Sequence, residues 1–204
     1  MQHRRLSDTG PIMTVFRLMV SLCVLSGCAS QSTTLSPPTP FTPVSADFTH
    51  VWKKGTHPFT GAAVIDVDGD GTYEIFVGGG EEQRDALLSY RNGRLVNIEN
   101  GTGLSNNSAT YGSTAIDMDA DGDTDLIVAR ENGVYLYLND GGRFQERPIP
   151  VDLPADSVPF SVAVSDIDHD GDGDLYVSVF VNAKKFRSAT FNDPTHAKPN
   201  RLLL

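Results

Sequence analysis

Cysteine, long apolar runs and positive charge are all scarce in this 204-residue chain. The one apolar run near the start, residues 18–25, has eight residues, whereas a membrane-crossing helix needs about 20. It is too short to span a bilayer. With Arg4, Arg5 and Arg17 ahead of it, it reads as the apolar part of an export signal, and Met13 offers a second possible start. The only cysteines are Cys23 and Cys28. Cys23 falls inside the signal, so the exported chain keeps Cys28 alone and forms no internal disulfide, although exported domains often rely on them. From residue 29 onward, 13 Lys and Arg face 25 Asp and Glu, a net charge of −12. That balance lacks the basic footprint of nucleic-acid binding, so no nucleic-acid partner is expected. Catalytic signatures are missing as well. There is no Gly-x-Ser-x-Gly and no His-Glu-x-x-His, and His3, His50, His57, His169 and His196 show no zinc spacing. No catalytic residue is assigned, and the chain is read as non-enzymatic.

What is abundant is aspartate, in one place repeated three times. Asp117, Asp119, Asp121 and Asp125 occupy positions 1, 3, 5 and 9 of a nine-residue loop with Gly122 at position 6. Asp66, Asp68, Asp70 and Glu74 repeat the pattern around Gly71, and Asp166, Asp168, Asp170 and Asp174 repeat it around Gly171. The first aspartates lie 51 and then 49 residues apart. Carboxylates about 5 Å apart at an effective dielectric near 20 repel by roughly 3 kcal/mol per pair. A hard divalent cation with six to eight oxygen ligands offsets that repulsion, which points to calcium, about three ions in all. The glycine permits a sharp turn. Position 7, occupied by Thr72, Asp123 and Asp172, can add a backbone carbonyl. Fourteen of the 25 acids lie in these loops, so the acidity is local to the candidate metal sites.

The opening Asp-x-Asp-x-Asp-Gly is shared with the EF-hand, which needs a bidentate Glu at position 12 and flanking helices. Position 12 is Val77, Val128 and Val177, and the flanks are short β-branched and aromatic runs that read as strands. The acid at position 9 closes the loop instead. Around the loops the sequence predicts an all-β chain of about three four-stranded units. The first has strands at 61–66, 74–77, 86–90 and 94–98, with Asn92-Gly93 as a two-residue hairpin turn. The second has strands at 114–117, 126–129, 134–138 and 144–149, the last pair turned by residues 139–142. The third begins with strands at 161–166 and 175–181. A strand is also expected at 47–52. Gly78, Gly79 and Gly80 lack the Gly-Lys-Ser/Thr and helix start of a phosphate-binding loop, and read as a turn.

Three Asp-x-Asp-x-Asp-Gly-x-x-Asp/Glu loops, each between two strands, resemble the FG-GAP/VCBS repeats of integrin-like β-propellers. Phe59-Thr-Gly61, Tyr111-Gly112 and Phe160-Ser161 resemble that family's aromatic-Gly entry, and residues 134–144 resemble its later hairpin. The resemblance covers roughly residues 47–204. It implies propeller blades with calcium in the loops, and Glu74 departs from the usual Asp at position 9. Three blades make an incomplete ring, since known rings hold about four to eight. The chain is therefore expected to be the N-terminal part of a longer protein or the product of a truncated gene.

Leu25-Ser-Gly-Cys28 resembles the bacterial lipobox, in which the Cys is acylated after cleavage before it. Residues 1–28 are then a lipoprotein signal and Cys28 the lipidation site, with the membrane as a partner through the anchor. Ala29 after the Cys implies, by the same resemblance, the outer membrane of a Gram-negative cell envelope. Residues 29–46, uncharged and with four prolines, read as a disordered tether. Residues 182–200, carrying Lys184, Lys185, Arg187 and Lys198, read as an insertion between the second and third strands of the third unit.

Two functions fit this organisation. One is a lipid-anchored, calcium-binding adhesion or ligand-binding scaffold, with calcium structural and an unidentified protein or carbohydrate as ligand. The other is a non-catalytic propeller module of a larger secreted enzyme whose catalytic part lies beyond residue 204. Replacing Asp125→Ala is expected to weaken the second loop selectively, removing one ion from the calcium stoichiometry measured by titration calorimetry.

Overall fold

The computed structural model describes residues 41–53, 57, 59–185 and 194–204. The export signal, Cys28 and most of the expected tether lie outside these residues, as does the centre of the 182–200 insertion. The folded unit runs from Thr42 to Leu204.

Among the described residues, eleven strands form three antiparallel sheets. The first is β1 (Ala62–Ile65), β2 (Glu74–Val77), β3 (Ala86–Arg91) and β4 (Arg94–Asn97), in that spatial order. The second is β5 (Thr110–Ile116), β6 (Asp125–Arg130), β7 (Gly133–Asp140) and β8 (Arg143–Ile149). The third has β9 (Ser157–Ser165) at one edge, β10 (Asp174–Val181) in the middle and β11 (Arg201–Leu203) at the other edge. Each up-and-down meander is a propeller-like blade, and the three do not close into a ring. Because β10 and β11 are paired neighbours, residues 182–200 are an excursion between adjacent strands.

Sheet stacking explains which strands read as continuous apolar runs and which alternate. β6 is buried along its whole length because the second sheet is covered on both faces. Its Leu126 and Val128 meet Ile65, Phe76 and Leu87 of the first sheet, while Ile127 meets Leu175, Val177 and Val179 of the third. β1 is covered on one face only, so Ile65 is buried while Val64 beside it is exposed. β10 alternates in the same way, with Tyr176 outward between buried Leu175 and Val177.

The first strands of the blades approach closely. A Cβ on Gly61 would lie 2.6 Å from the Gly112 carbonyl carbon, and one on Gly112 would lie 2.7 Å from the Ser161 Cα. The aromatic-Gly entries thus serve packing. The glycines let backbones touch, and the aromatics gather at the strand end opposite the acidic loops. Ring centroids are 5.8 Å apart for Tyr111 and Phe160 and 5.5 Å for Phe59 and Phe160.

The structure moves several sequence-based boundaries. β5 starts at Thr110, not 114, and β9 at Ser157, not 161, because their leading residues also pair, each through a register shift. Residues 47–52 form no strand. Only Ala46 makes a parallel bridge to Leu95, with the Asp47 N–H donating to the Leu95 carbonyl at 2.9 Å. The β7–β8 turn is the pair Gly141-Gly142, at φ of 54° and 92°, and Asn139 and Asp140 belong to β7. The β3–β4 turn is Asn92-Gly93, as expected, both residues left-handed.

A buried charged network joins the first two sheets. The Arg130 and Asp85 side chains are both fully buried. Arg130 Nη2 donates to Asp85 Oδ2 at 2.5 Å and to the Tyr137 hydroxyl at 2.7 Å, and Nη1 donates to Thr110 Oγ1 at 2.6 Å. Asp85 Oδ1 accepts the Gly79 N–H at 2.8 Å. The Tyr137 hydroxyl donates to Glu146, and burial raises its pKa well above the usual phenol value. Removing one partner of such a pair strands a buried charge. Arg130→Ala is expected to lower the unfolding free energy by about 3–5 kcal/mol, read from urea denaturation at constant calcium.

Candidate metal centre

Each acidic loop leaves the first strand of a blade and returns as the second. Loop 1 (66–74) joins β1 to β2, loop 2 (117–125) joins β5 to β6, and loop 3 (166–174) joins β9 to β10. The three use the same internal hydrogen bonds. The residue-6 N–H donates to the first aspartate: Gly71 to Asp66 at 3.0 Å, Gly122 to Asp117 at 3.1 Å and Gly171 to Asp166 at 3.2 Å. The residue-7 N–H donates to the aspartate at position 5: Thr72 to Asp70 at 2.6 Å, Asp123 to Asp121 at 2.9 Å and Asp172 to Asp170 at 3.2 Å. The acid at position 9 accepts the residue-2 N–H: Val67 to Glu74 at 3.4 Å, Met118 to Asp125 at 2.8 Å and Ile167 to Asp174 at 2.6 Å.

The backbone is also common to all three. Position 6 is left-handed, at φ of 83°, 99° and 101° for Gly71, Gly122 and Gly171. Position 4 is left-handed too, at 70° for Gly69, 58° for Ala120 and 64° for His169. Only the first loop places a residue there without a Cβ penalty.

Carboxylate oxygens converge in every loop. Asp66, Asp68 and Asp70 each bring one oxygen within 4.8 Å of the others; so do Asp117, Asp119 and Asp125, and Asp166, Asp168 and Asp174. Positions 1 and 3 converge in all three loops. The third member is position 5 in loop 1 and position 9 in loops 2 and 3. Glu74, one methylene longer than Asp, lies outside the tight trio of its loop and makes the longest of the closing hydrogen bonds. Asp121 and Asp170, at position 5, lie outside the tight trio of their loops. Thr72, Asp123 and Asp172 sit at position 7, as the sequence placed them.

The position-9 acids are the buried members: Asp125 is 0 % exposed, Asp174 1 % and Glu74 7 %. Burial pushes the Asp125 carboxyl above the usual range, the N–H groups of Asn139 and Met118 pull it back, and Asp119 and Asp121 push it up again. In loop 3, a hydrogen bond to Asp170 and its negative charge push Asp172 up. In both, neighbouring carboxylates contribute to the upward shift. The donor set fits a hard cation, since every candidate ligand is an oxygen. Asp66 Oδ1 and Asp174 Oδ1 are buried without a hydrogen-bond donor among the described residues, which suits a metal ligand. The equivalent oxygen of Asp125 accepts the Asn139 N–H at 2.8 Å.

One residue important to these loops was read from sequence merely as part of a turn. Asn139, 3 % exposed, bonds to loop 1 and to loop 2, and Asp123 Oδ2 accepts the Gly141 N–H from the same hairpin at 2.8 Å. No spacing rule marks Asn139, because its partners are 72 and 15 residues away. The basic residues at the start of the insertion are turned toward the protein's own acids, Lys184 to Glu131 at 3.5 Å and Lys185 to Asp156 at 3.7 Å.

A family model described as an FG-GAP-like repeat matches residues 66–128 and again residues 117–177. Each match runs from the first aspartate of one loop into the second strand of the next sheet, and together they cover more than half of the chain. A search of curated proteins finds no match. Because position 4 is left-handed in all three loops, Ala120→Gly is expected to stabilise the protein by about 0.5–1 kcal/mol, seen as a higher urea midpoint, with Asp117 to Asp125 otherwise unchanged.

Proposed function

The chain belongs to the FG-GAP-like repeat family, and from that premise we propose that it is a calcium-binding, non-catalytic scaffold held at the cell envelope by a lipid on Cys28. The observation that carries the metal reading is the threefold recurrence of one loop, with the same hydrogen bonds, the same left-handed positions and a buried acid at position 9. Calcium suits it better than magnesium. Calcium accepts six to eight oxygens in flexible geometry, whereas magnesium demands a near-ideal octahedron and keeps several waters. The ligands in each loop are Asp66, Asp68, Asp70 and Glu74; Asp117, Asp119, Asp121 and Asp125; and Asp166, Asp168, Asp170 and Asp174. The carbonyls of Thr72, Asp123 and Asp172 complete them.

The role of the ion is structural. Each loop joins the first two strands of a blade, so an ion there fixes the strand pair and removes the repulsion of its carboxylates. At free calcium 100 times the dissociation constant one site adds about 2.7 kcal/mol, a large share of a domain's net stability. An export signal ending in Leu25-Ser-Gly-Cys28, followed by a proline-rich stretch, supports anchoring in the envelope, at the outer membrane of a Gram-negative cell. Adhesion to a protein or carbohydrate is the use most in keeping with a non-catalytic repeat scaffold.

Thermal unfolding of the full chain in chelator, in magnesium and in millimolar calcium tests the metal reading. Calcium is expected to raise the midpoint by about 5–10 °C and magnesium to do much less; an unchanged midpoint in calcium rejects it. Cys28→Ser is expected to move the protein from the membrane fraction to the soluble fraction of fractionated cells; continued sedimentation with membranes rejects the anchor.

A further inference from the structure

We infer that Asn139 is a positioning residue shared by loops 1 and 2, so that an ion in either loop tightens the other. The inference rests on the reading of these loops as calcium sites. Asn139 lies near the end of β7 and is 3 % exposed. Its Nδ2 donates to the Val67 carbonyl of loop 1 at 2.8 Å and to the Thr124 carbonyl of loop 2 at 3.1 Å. Its Oδ1 accepts the Gly142 N–H at 2.9 Å, and its backbone N–H donates to Asp125 Oδ1 at 2.8 Å. Both side-chain N–H groups and the side-chain oxygen are therefore in use, which fixes the orientation of the amide.

The partners are close to the candidate ligands. Val67 is residue 2 of loop 1, and its own N–H donates to Glu74, the acid that closes that loop. Thr124 and Asp125 are residues 8 and 9 of loop 2. One buried amide thus satisfies both loops at once, and it can do so only when Val67 and Thr124 are both in place. An ion that orders loop 1 holds the Val67 carbonyl where Asn139 needs it. Asn139 in turn presents its N–H to Asp125 and leaves the other Asp125 oxygen with the Met118 N–H. Ordering already done by the first ion need not be repeated for the second, and by linkage the effect is equal in both directions. Loops 2 and 3 touch differently. The position of a Cβ on Gly173 is 3.3 Å from Met118 Sδ, and no hydrogen bond joins these two loops among the described residues. Their coupling is accordingly weaker.

The test uses the full chain and calcium alone as the ligand. The amide resonances of Gly71 and Gly122, which donate to Asp66 and Asp117, report the filling of loops 1 and 2 separately in a nitrogen–proton NMR titration. Asp68→Asn, which impairs loop 1, is expected to weaken calcium binding at loop 2 by about fivefold or more, and Asp119→Asn to weaken loop 1 by the same factor. In an Asn139→Ala background the loop 2 affinity no longer responds to Asp68→Asn, which a merely structural role for Asn139 would not produce. A response below twofold or a response that persists in Asn139→Ala overturns the coupling while leaving the calcium reading intact. Should Asn139→Ala not fold, the reciprocal pair Asp68→Asn and Asp119→Asn still decides whether the loops are coupled. If neither glycine amide responds to millimolar calcium, the metal reading and the coupling fall together.

Discussion

A carboxylate buried at the ninth position of each loop is the constraint on which the blades depend. Glu74, Asp125 and Asp174 are the first residues of β2, β6 and β10, and each reaches back to the N–H at the start of its own loop. That bond closes the loop and sets the register of the first two strands. It also brings a negative charge out of water beside other carboxylates, an arrangement that burial disfavours and a cation relieves. The loop is in this sense half of a site: the chain supplies the geometry, and the proposed ion would supply the compensating charge.

Around that constraint the sheets stack face to face. The second sheet is covered on both sides, so β6 carries apolar residues at successive positions, while β1 and β10 alternate. Gly61 and Gly112 bring the first strands of neighbouring blades into backbone contact. Farther out, Arg130 and Asp85 hold the first two sheets together with a fully buried ion pair that also bonds to Thr110, Tyr137 and Gly79, while the buried Arg130 Nε has no partner among the described residues. A pair of this kind contributes specificity of docking more surely than net stability, because desolvation offsets much of its attraction.

The connection through Asn139 makes the loops more than three copies of one device. The second residue of loop 1 and the last two residues of loop 2 converge on a single residue, Val67 and Thr124 on its side-chain amide and Asp125 on its backbone N–H. Glu74 belongs to the loop whose closing bond is longest and whose tight trio excludes the ninth residue. The first loop thus differs from the other two at its closing acid, the position where the sequence already departs from the repeat.

The sequence by itself determined the repeat, the three loops with their candidate ligands, the all-β class and the hairpin at Asn92-Gly93. These are local matters: carboxylates at fixed spacing, a glycine where φ must be positive, β-branched residues at strand positions. Strand starts at Thr110 and Ser157 were missed because the leading residues pair through register shifts that local propensity does not encode. Residues 47–52 carried the pattern of a strand, but beyond the Asp47 bond to β4, Thr49 and Val51 bond to the Gln83 side chain and build no ladder. The Arg130–Asp85 pair, the contact of Gly61 with Gly112 and the bridge through Asn139 were decided only in the tertiary structure. Each joins residues from 15 to 72 positions apart, and such contacts follow from how one blade packs against the next.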